Sequence, residues 1–247
     1  MLTTNKLDVD MMASKFGLSK VRMQRRIYRF EHILGSVEVE GKRVLEIGAG
    51  NGIFSCLLSM AVAKSVISLE PELEGHSQGA FSQMATNIKM LELSNIFPIN
   101  KTIQDYQGTD KSFDIIISQA AVNHFDEKAC MDLHIDSNAK IVYVNLFRKL
   151  YSLLDKNGTL VFADCARKNL FSGLAKYGVN PIAKEIEWEK HQQPQLWAML
   201  LKEAGFVNVA WRWLFPAPLW LGIEKLLNNS VMAYLTTSYF VIQAEKR

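Results

Sequence analysis

A glycine-rich turn and a later acidic residue carry the clearest chemical signal in the sequence. Gly48, Gly50 and Gly52 alternate directly after an apolar run that contains Glu46. Because glycine has no Cβ, a ligand can approach the backbone of such a turn closely. Glu70 ends the next apolar run, and a carboxylate in that position can accept hydrogen bonds from both hydroxyl groups of a ribose. The pattern therefore predicts a site for a ligand that contains a ribose.

The spacing of the glycines excludes two common nucleotide sites. A dinucleotide-binding fingerprint needs its third glycine one residue later, where this sequence has Ile53. A phosphate-binding loop would end in Gly-Lys-Ser or Gly-Lys-Thr, and the turn has no such ending. The alternative left open is a tight turn in another kind of α/β domain.

Two histidines are candidate catalytic residues. His124 follows the fourth predicted strand, and His191 lies in a segment of mixed polar and aromatic character. An imidazole titrates near neutral pH and can take a proton from a hydroxyl group. For each residue the alternative is a structural role in packing or capping. The surroundings of His32, His76 and His134 indicate no chemical role.

Strand patterns and helical patterns alternate through most of the chain, and these elements must position the candidate residues. The predicted strands are Arg43–Ile47, Ser65–Leu69, Ile96–Asn100, Phe113–Ser118, Thr159–Ala163, Phe206–Leu214 and Ser238–Ala244. The predicted helices are Ser19–Leu34, Ile53–Ala63, Ser77–Leu91, Asn138–Leu154 and Gln195–Ala204. The alternation is typical of a doubly wound α/β fold with a mostly parallel sheet. In such a sheet the first two strands end side by side, so Glu70 is expected beside the glycine turn.

These segments resemble the class I S-adenosylmethionine-dependent methyltransferases over roughly residues 43–247. The resemblance rests on the glycine turn with Glu46 and Glu70, and on the segments Phe113–Ala120, Leu154–Phe162, Leu200–Phe206 and Ser238–Ala244. It implies a Rossmann-like sheet of seven strands with the last strand antiparallel, S-adenosylmethionine as cofactor and S-adenosylhomocysteine as product. The cofactor-binding residues that it implies are Glu46, Gly48, Ala49, Gly50, Gly52, Glu70, Pro71, Thr102, Ile103, Gln119 and Ala120.

The sequence departs from the family pattern after the third strand. Members often have an acidic residue there, within Gly-Asp-Ala, that binds the adenine amino group. This chain has Lys101, Thr102 and Ile103 in that place. Thr102 or the backbone is the expected replacement, because Asp105 follows too late.

The resemblance predicts methyl transfer to a small-molecule acceptor, with oxygen the favoured atom and a glycan or lipid-linked intermediate as a narrower expectation. A base is needed when the nucleophile is a hydroxyl, which makes His124 and His191 the predicted catalytic residues. The loop after the fourth strand lacks the Asn-Pro-Pro motif of nucleobase amino methyltransferases, and Asp164 alone does not indicate a metal, so no metal is expected. Carbon and nitrogen acceptors stay open. So do an RNA methyltransferase and a cofactor-binding regulatory or partner subunit without turnover.

The predicted organisation is a single domain in four parts. Residues 1–42 form an N-terminal helical cap, 43–164 the cofactor-binding core, 165–194 a lid insertion, and 195–247 complete the sheet. The first predicted helix has a basic side that could hold an acidic group or be a solvated face: Arg22, Arg25, Arg26 and Arg29. A later aromatic group could pack in the core, line a substrate mouth or touch a membrane surface: Trp211, Trp213, Phe215 and Trp220.

Composition narrows the class of partner. Hydrophobic residues make up 49% and charged residues 21% of the 247, a balance that favours a folded domain over low-complexity disorder. The net charge of +3 does not favour nucleic acid as a partner. Three cysteines without a C-x-x-C pair, the lack of a secretory signal pattern and the lack of an apolar span of membrane length predict a cytoplasmic location. Oligomeric state is not predicted.

Overall fold

The structure is a computed structural model that describes residues 8–72, 78–108, 112–179, 186–215 and 224–247. Its contacts divide the chain into two compact units, Met1–Gln119 and Ala120–Arg247. Several subjects of the sequence predictions lie outside the described residues: His76, Ser77, Trp220, residues 1–7 of the predicted cap and residues 180–185 of the predicted lid. The division into one domain with four parts stays a prediction.

In the parts of the first unit that the structure describes there are four strands and four helices. The strands are Arg43–Ile47 (β1), Ser65–Leu69 (β2), Ile96–Ile99 (β3) and Phe113–Gln119 (β4). The helices are Val9–Lys15 (α1), Lys20–Leu34 (α2), Ile53–Met60 (α3) and Ala80–Met90 (α4). In β1 every residue from Val44 to Ile47 is buried, as expected for a central parallel strand that is covered on both faces.

The second unit contains three strands and six helices within its described residues. The strands are Leu154–Cys165 (β5), Val207–Trp213 (β6) and Tyr239–Glu245 (β7). The helices are Glu127–Asp132 (α5), Ser137–Leu153 (α6), Leu170–Ala175 (α7), Pro194–Glu203 (α8), Glu224–Leu227 (α9) and Ser230–Leu235 (α10). Short 3₁₀ turns occupy Val122–His124 and Trp188–Lys190.

The seven strands form one sheet in the order β3-β2-β1-β4-β5-β7-β6. β1 runs parallel to β2 and to β4, and β2 runs parallel to β3. β7 is antiparallel to both β5 and β6. These pairings confirm the predicted doubly wound α/β fold, including the antiparallel last strand.

The N-terminal helices begin at capping side chains. Asp8 accepts a hydrogen bond from the backbone of Met11 at 2.9 Å, and Ser19 accepts one from Arg22 at 3.3 Å. α2 buries an apolar face, and its Phe30 ring lies 5.0 Å from that of Phe54 on α3. Arg29 on α2 is half-buried, and the other three arginines of this helix are exposed: Arg22, Arg25 and Arg26.

Some boundaries differ from the sequence prediction for local reasons. α3 ends at Met60, three residues early, and Val62 nearby adopts a positive φ of 62° that a helix does not allow. β5 begins at Leu154, before the predicted start at Thr159. Asn157 has a positive φ of 61° but stays within the strand, because its backbone amide donates to the carbonyl of Lys246 at 3.0 Å. Five short helices were not predicted, since four to seven residues hold too few turns for a clear pattern: α1, α5, α7, α9 and α10.

Candidate functional site

The glycine turn of the first unit joins β1 to α3 through left-handed backbone. Gly48, Gly50 and Gly52 have φ values of 74°, 56° and 76°. A residue with a Cβ is strained in that region, so the three glycines meet a conformational requirement. The backbone amides of Gly48 and Ala49 donate to the carbonyl of Leu69 at 2.9 and 3.0 Å, which holds the turn against the end of β2.

The glycines differ in what surrounds them. A Cβ on Gly52 would lie 2.5 Å from Cγ of Met84 on α4, so this glycine is needed for close packing of the turn against a helix. A Cβ on Gly50 would meet nothing within 4 Å among the described residues. Gly50 is therefore the position at which the backbone stays open to a ligand.

Glu70 lies beside the glycine turn, as the sequence predicted. Its carboxylate accepts a hydrogen bond from the Gly50 backbone amide at 2.7 Å, and the residue is only 6% exposed. The backbone amide of Glu70 donates to Ile99 at the end of β3, at 3.2 Å. The ends of β1, β2 and β3 thus fix this carboxylate in place.

Glu46 is buried within β1 and has its own polar partners. The Ser55 hydroxyl on α3 donates a short hydrogen bond to its carboxylate, and the Ser68 hydroxyl on β2 donates to Ser55 at 2.9 Å. Glu46 has a pKa raised to about 8, mainly by burial; the Ser55 hydrogen bond acts to lower it, and the nearby charge of Glu70 adds to the increase. The carboxyl is therefore mostly protonated at neutral pH in this arrangement.

The other predicted cofactor residues of the first unit have less distinctive surroundings. The Thr102 hydroxyl donates to Asp105 at 2.7 Å and accepts from its backbone amide at 3.1 Å, so Thr102 caps the turn that follows β3. Ile103 is buried, whereas Pro71 and Gln119 are half-buried. The structure gives their burial and bonding, and their role in binding a cofactor stays a prediction.

Sequence reasoning missed Ser118 in β4. Its register partner on β1 is Ile47, the last residue before the glycine turn. The residue is 2% exposed, and its hydroxyl has no hydrogen-bond partner among the described residues. The only available signal was a polar residue at the end of an otherwise apolar strand.

In the second unit, His191 is paired with a buried carboxylate. Its Nδ1 lies 3.0 Å from Oδ1 of Asp164 in β5, which is fully buried and also accepts from the Cys165 amide at 2.7 Å. Burial lowers the pKa of His191, but the charge and hydrogen bond of Asp164 raise it by more, so the net shift is upward. Its Nε2 has no hydrogen-bond partner among the described residues.

His124, the other predicted catalytic residue, has partners on both ring nitrogens. Nδ1 lies 2.7 Å from Glu127 of α5, and Nε2 lies 3.3 Å from the side-chain nitrogen of Asn123. Glu127 also pairs with Lys190 at 2.7 Å, and the hydrogen bonds from Lys190 and then His124 lower its pKa. His124 therefore belongs to an ion-pair network that joins α5 to the Trp188–Lys190 turn.

The second unit also contains Ala120 and the two tryptophans of β6. Ala120 is exposed with a positive φ of 52°, and its amide donates to Ala163 at 2.8 Å. The Trp211 and Trp213 rings of β6 contact each other at 5.2 Å and are half-buried. Within the described ranges, no group of three or more His, Cys, Asp or Glu side chains could hold a metal ion, and no helix is long and apolar enough to cross a membrane.

Comparison with known proteins identifies the class. A family model described as a methyltransferase domain matches residues 20–211, more than half of the chain. The chain therefore belongs to the methyltransferase domain family. This membership confirms the predicted class I S-adenosylmethionine-dependent methyltransferase with S-adenosylmethionine as its cofactor. No curated protein matches the sequence.

Solved structures share the fold at low sequence identity. A SAM-dependent methyltransferase from Aquifex aeolicus is 13% identical, with coverage of 98% of this chain and 100% of that one and a TM-score of 0.61. A methyltransferase of the same description from Mesorhizobium loti is 15% identical, with coverage of 90% and 98% and a TM-score of 0.57. The [4+2]-cyclase SpnF is 14% identical, with coverage of 94% and 84% and a TM-score of 0.59. At this identity the likeness shows the fold.

The residues of the first unit fit the cofactor. A ribose needs hydrogen-bond acceptors, and the fixed Glu70 carboxylate provides them beside backbone that is open at Gly50. The buried Ser118 hydroxyl lacks a described protein partner, and such groups are normally paired in folded proteins. A polar ligand at this end of β1 and β4 would supply that partner.

Proposed function

We propose that this methyltransferase acts on a hydroxyl oxygen of a small molecule, with His191 as the base that takes the hydroxyl proton. The observation that carries the proposal is the His191–Asp164 pair, in which a fully buried carboxylate lies 3.0 Å from Nδ1. A carboxylate in this position holds the proton on Nδ1 and leaves Nε2 as the proton acceptor. A glycan or a lipid-linked intermediate remains the narrower expectation for the acceptor.

The first unit supplies the cofactor site in this proposal. Glu70 accepts hydrogen bonds from the ribose hydroxyls, and Gly50 lets the ligand approach the backbone. Ser118 gains a partner for its buried hydroxyl. Pro71, Thr102, Ile103, Gln119 and Ala120 are the further predicted contacts. Glu46 accepts a hydrogen bond from Ser55 and so connects β1 to α3, the two elements that flank the turn.

The second unit supplies the proton chemistry. The sulfonium of S-adenosylmethionine provides an activated methyl group, so the chain needs to align the acceptor, exclude water and take one proton. The acceptor O–H bond breaks as its oxygen gains the methyl group, and the proton passes to Nε2 of His191. Asp164 then stabilises the imidazolium ion. The products are the methyl ether and S-adenosylhomocysteine.

His191 is a better candidate than His124 because of its free acceptor atom. In His124 the Asn123 amide nitrogen lies 3.3 Å from Nε2, and Glu127 occupies Nδ1. The His124 side chain is also 46% exposed, whereas that of His191 is 13% exposed. A base that works without competition from water is expected to be shielded. We assign His124 a positioning role in its loop.

A kinetic comparison of the two histidines tests the proposal. S-adenosylhomocysteine release is measured with a panel of hydroxyl-containing acceptors for the wild type, His191→Ala and the control His124→Ala. Loss of the base is expected to lower kcat by about 10²- to 10⁴-fold, while the control changes it only a few fold. Equal activity in wild type and His191→Ala would show that His191 is not the base. Release of S-adenosylhomocysteine with amines but with no hydroxyl acceptor would overturn oxygen as the methylated atom.

A further inference from the structure

Helix α10 exposes apolar side chains of the kind that a surface helix normally buries. Val231, Tyr234 and Leu235 are 65%, 52% and 45% exposed. Their spacing of three and four residues places them on one face of the helix. α10 contains no charged residue, and Ala233 is its one buried residue. The face that this helix presents to solvent is therefore apolar, the reverse of the usual amphipathic pattern.

The neighbouring helix α9 adds another exposed leucine. Leu226 is 76% exposed. The side-chain nitrogen of Asn229 donates to the Leu226 carbonyl at 2.8 Å, and the side-chain oxygen of Asn229 accepts from the amides of Val231 and Met232 at 3.0 Å each. Asn229 thus ties Leu226 to the first turn of α10.

Helix α7 packs against α10. Ser238 joins the start of one to the end of the other, because its hydroxyl donates to the Ala233 carbonyl at 2.9 Å and lies 3.4 Å from the carbonyl oxygen of Lys168. The backbone amide of Ala166 also donates to the Ser238 carbonyl at 2.9 Å. The two helices are therefore held together by packing and by hydrogen bonds.

The turn that ends α7 exposes two more large side chains. Tyr177 is 84% exposed and Val179 is 49% exposed. Their backbone amides both donate to the Leu174 carbonyl, at 2.9 and 3.1 Å, and Gly178 between them has the positive φ of 77° that such a helix end requires. Together the exposed side chains of these three helices form an apolar surface: Tyr177, Val179, Leu226, Val231, Tyr234 and Leu235. Grouped exposure of this kind marks interaction sites, whereas single exposed apolar residues are ordinary.

The charge around the apolar surface is positive. Lys168 precedes α7 and Lys176 follows it, and both are exposed. The described residues 166–179 and 226–238 contain no Asp or Glu, although the chain as a whole has 25 acidic residues among 247. A partner with a negatively charged surface complements this arrangement.

The residue types favour a lipid bilayer over a protein as that partner. Protein interfaces are depleted in lysine, whereas anionic membranes attract lysines that lie near their surface. Tyrosine is enriched at the boundary between lipid and water, and the apolar surface contains two. A helix of six residues is only about 9 Å long, so α10 can lie in that boundary but cannot cross the bilayer.

We infer that the apolar surface, together with Lys168 and Lys176, docks on the anionic surface of a lipid bilayer. The aliphatic side chains enter the boundary between the headgroups and the acyl chains. The two tyrosines lie at headgroup level, and the two lysines contact lipid phosphates. A methyltransferase held in this way meets acceptors that are embedded in the bilayer.

Vesicle binding by the full-length protein is the first test. Co-sedimentation is measured with vesicles of phosphatidylcholine alone and with vesicles that also contain phosphatidylglycerol. Binding is expected to the anionic vesicles, to be much weaker with phosphatidylcholine alone, and to weaken as salt is added. Absence of binding to the anionic vesicles overturns the inference.

A pair of matched double variants tests the apolar part of the surface. Val231→Ser with Tyr234→Ser is expected to lower vesicle affinity at least tenfold, because two apolar side chains no longer leave water on binding. Val62→Ser with Phe97→Ser is the control, since these residues lie on the first unit and are 62% and 52% exposed. Thermal unfolding checks that both proteins are folded. Equal affinity in the two double variants contradicts the docking surface.

A second pair tests the charges. Lys168→Gln with Lys176→Gln is expected to weaken binding to the anionic vesicles roughly 30-fold, or about fivefold for each lysine. Arg22→Gln with Arg25→Gln removes two exposed cations from α2 and is the matched control. An equal or larger loss in the arginine variant would show that binding follows net charge or the α2 surface, and would overturn the inference.

Self-association is the alternative use of such a surface, and sedimentation velocity measures it. A dimer that becomes monomeric in Val231→Ser with Tyr234→Ser, without any vesicle binding, would assign the surface to contact between two copies of the chain and reject the membrane. S-adenosylhomocysteine release with soluble hydroxyl acceptors should be the same in this variant and the wild type. Failure of vesicle binding therefore leaves the proposed function standing, and failure of methyl transfer leaves the vesicle measurements intact.

Discussion

The two units hold their buried carboxylates in different ways. In the first unit the two buried carboxylates are held by the chain itself, Glu46 by Ser55 and Glu70 by the amide of Gly50. In the second unit the buried Asp164 is paired with the His191 imidazole, and its other oxygen has no described partner. A site that binds one fixed cofactor can be completed by its own turn. The Asp164 carboxylate instead faces an ionisable ring, whose proton it can hold.

The largest expected effect is the loss of cofactor binding when Glu70 is removed. In Glu70→Ala the ribose hydroxyls lose a charged acceptor, and each such hydrogen bond contributes about 1.5–3 kcal/mol, so two of them amount to a loss of affinity of roughly 100-fold or more. Calorimetry with S-adenosylhomocysteine measures it. Glu40→Ala, which removes an exposed carboxylate before β1, is the control and should bind like the wild type. Comparable binding by the Glu70 and Glu40 variants would remove Glu70 from the site.

A pair of glycine variants separates backbone strain from ligand contact. Gly50 and Gly41 both have positive φ values and open space where a Cβ would be, so alanine costs about 1–2 kcal/mol of strain at either position. Only Gly50→Ala is expected to weaken S-adenosylhomocysteine binding, because its methyl group enters the space that the ligand approaches. Thermal unfolding and calorimetry on both variants make the comparison. Equal affinity in the two variants would show that the ligand does not approach the backbone at Gly50.

The pH dependence of His191 tests the proton chemistry without an acceptor. Its pKa lies above the usual value of 6.5, so the neutral, basic form is lost as the pH falls below that raised pKa. Asp164→Asn removes the charge that raises it and leaves burial, which lowers it, so the pKa should fall below 6.5. NMR titration of the imidazole measures both proteins. An unchanged pKa in the variant would show that Asp164 does not raise the pKa of His191.

The raised pKa of Glu46 predicts how the stability of the protein changes with pH. Because its folded-state pKa of about 8 is raised above the ordinary 4.5, its contribution to stability is full below pH 4.5 and is lost as the pH rises to about 8. Glu46→Gln abolishes this titration, so the variant should lose less stability than the wild type between pH 5 and 8.5. Thermal melts across that range test it. Parallel profiles for the two proteins would contradict the raised pKa.

The smallest effect is expected from the ion pair of Lys190 with Glu127. The Glu127 side chain is 44% exposed, and pairs of this kind contribute about 0.2–1 kcal/mol. Lys190→Met also removes the ion pair with Glu187, whose side chain is 56% exposed, so the loss of both pairs should lower the free energy of unfolding by less than about 2 kcal/mol. S-adenosylhomocysteine affinity should stay unchanged. Chemical denaturation measures the first quantity and calorimetry the second. A large loss of stability would mean that the pair is a main support of the second unit.

The sequence predicts features that depend on local patterns, and it does not predict those that depend on tertiary contacts. The turn with Gly48, Gly50 and Glu70 is a local pattern on consecutive strands, so both the fold and the closeness of Gly50 to Glu70 were predictable. The His191–Asp164 pair joins residues 27 positions apart in the chain through tertiary packing. The separate roles of Gly50 and Gly52 depend on Met84, which lies on a different helix. Neither the spacing nor the periodicity of a single sequence records such contacts.

The most direct test of the account is a calorimetric titration of the intact protein with S-adenosylhomocysteine. We expect saturable binding with one site per chain. The ribose contacts would depend on Glu70, so its alanine variant should show little or no heat of binding under the same conditions. Absence of binding to the wild-type protein would contradict the assignment of the glycine turn and Glu70 as a cofactor site.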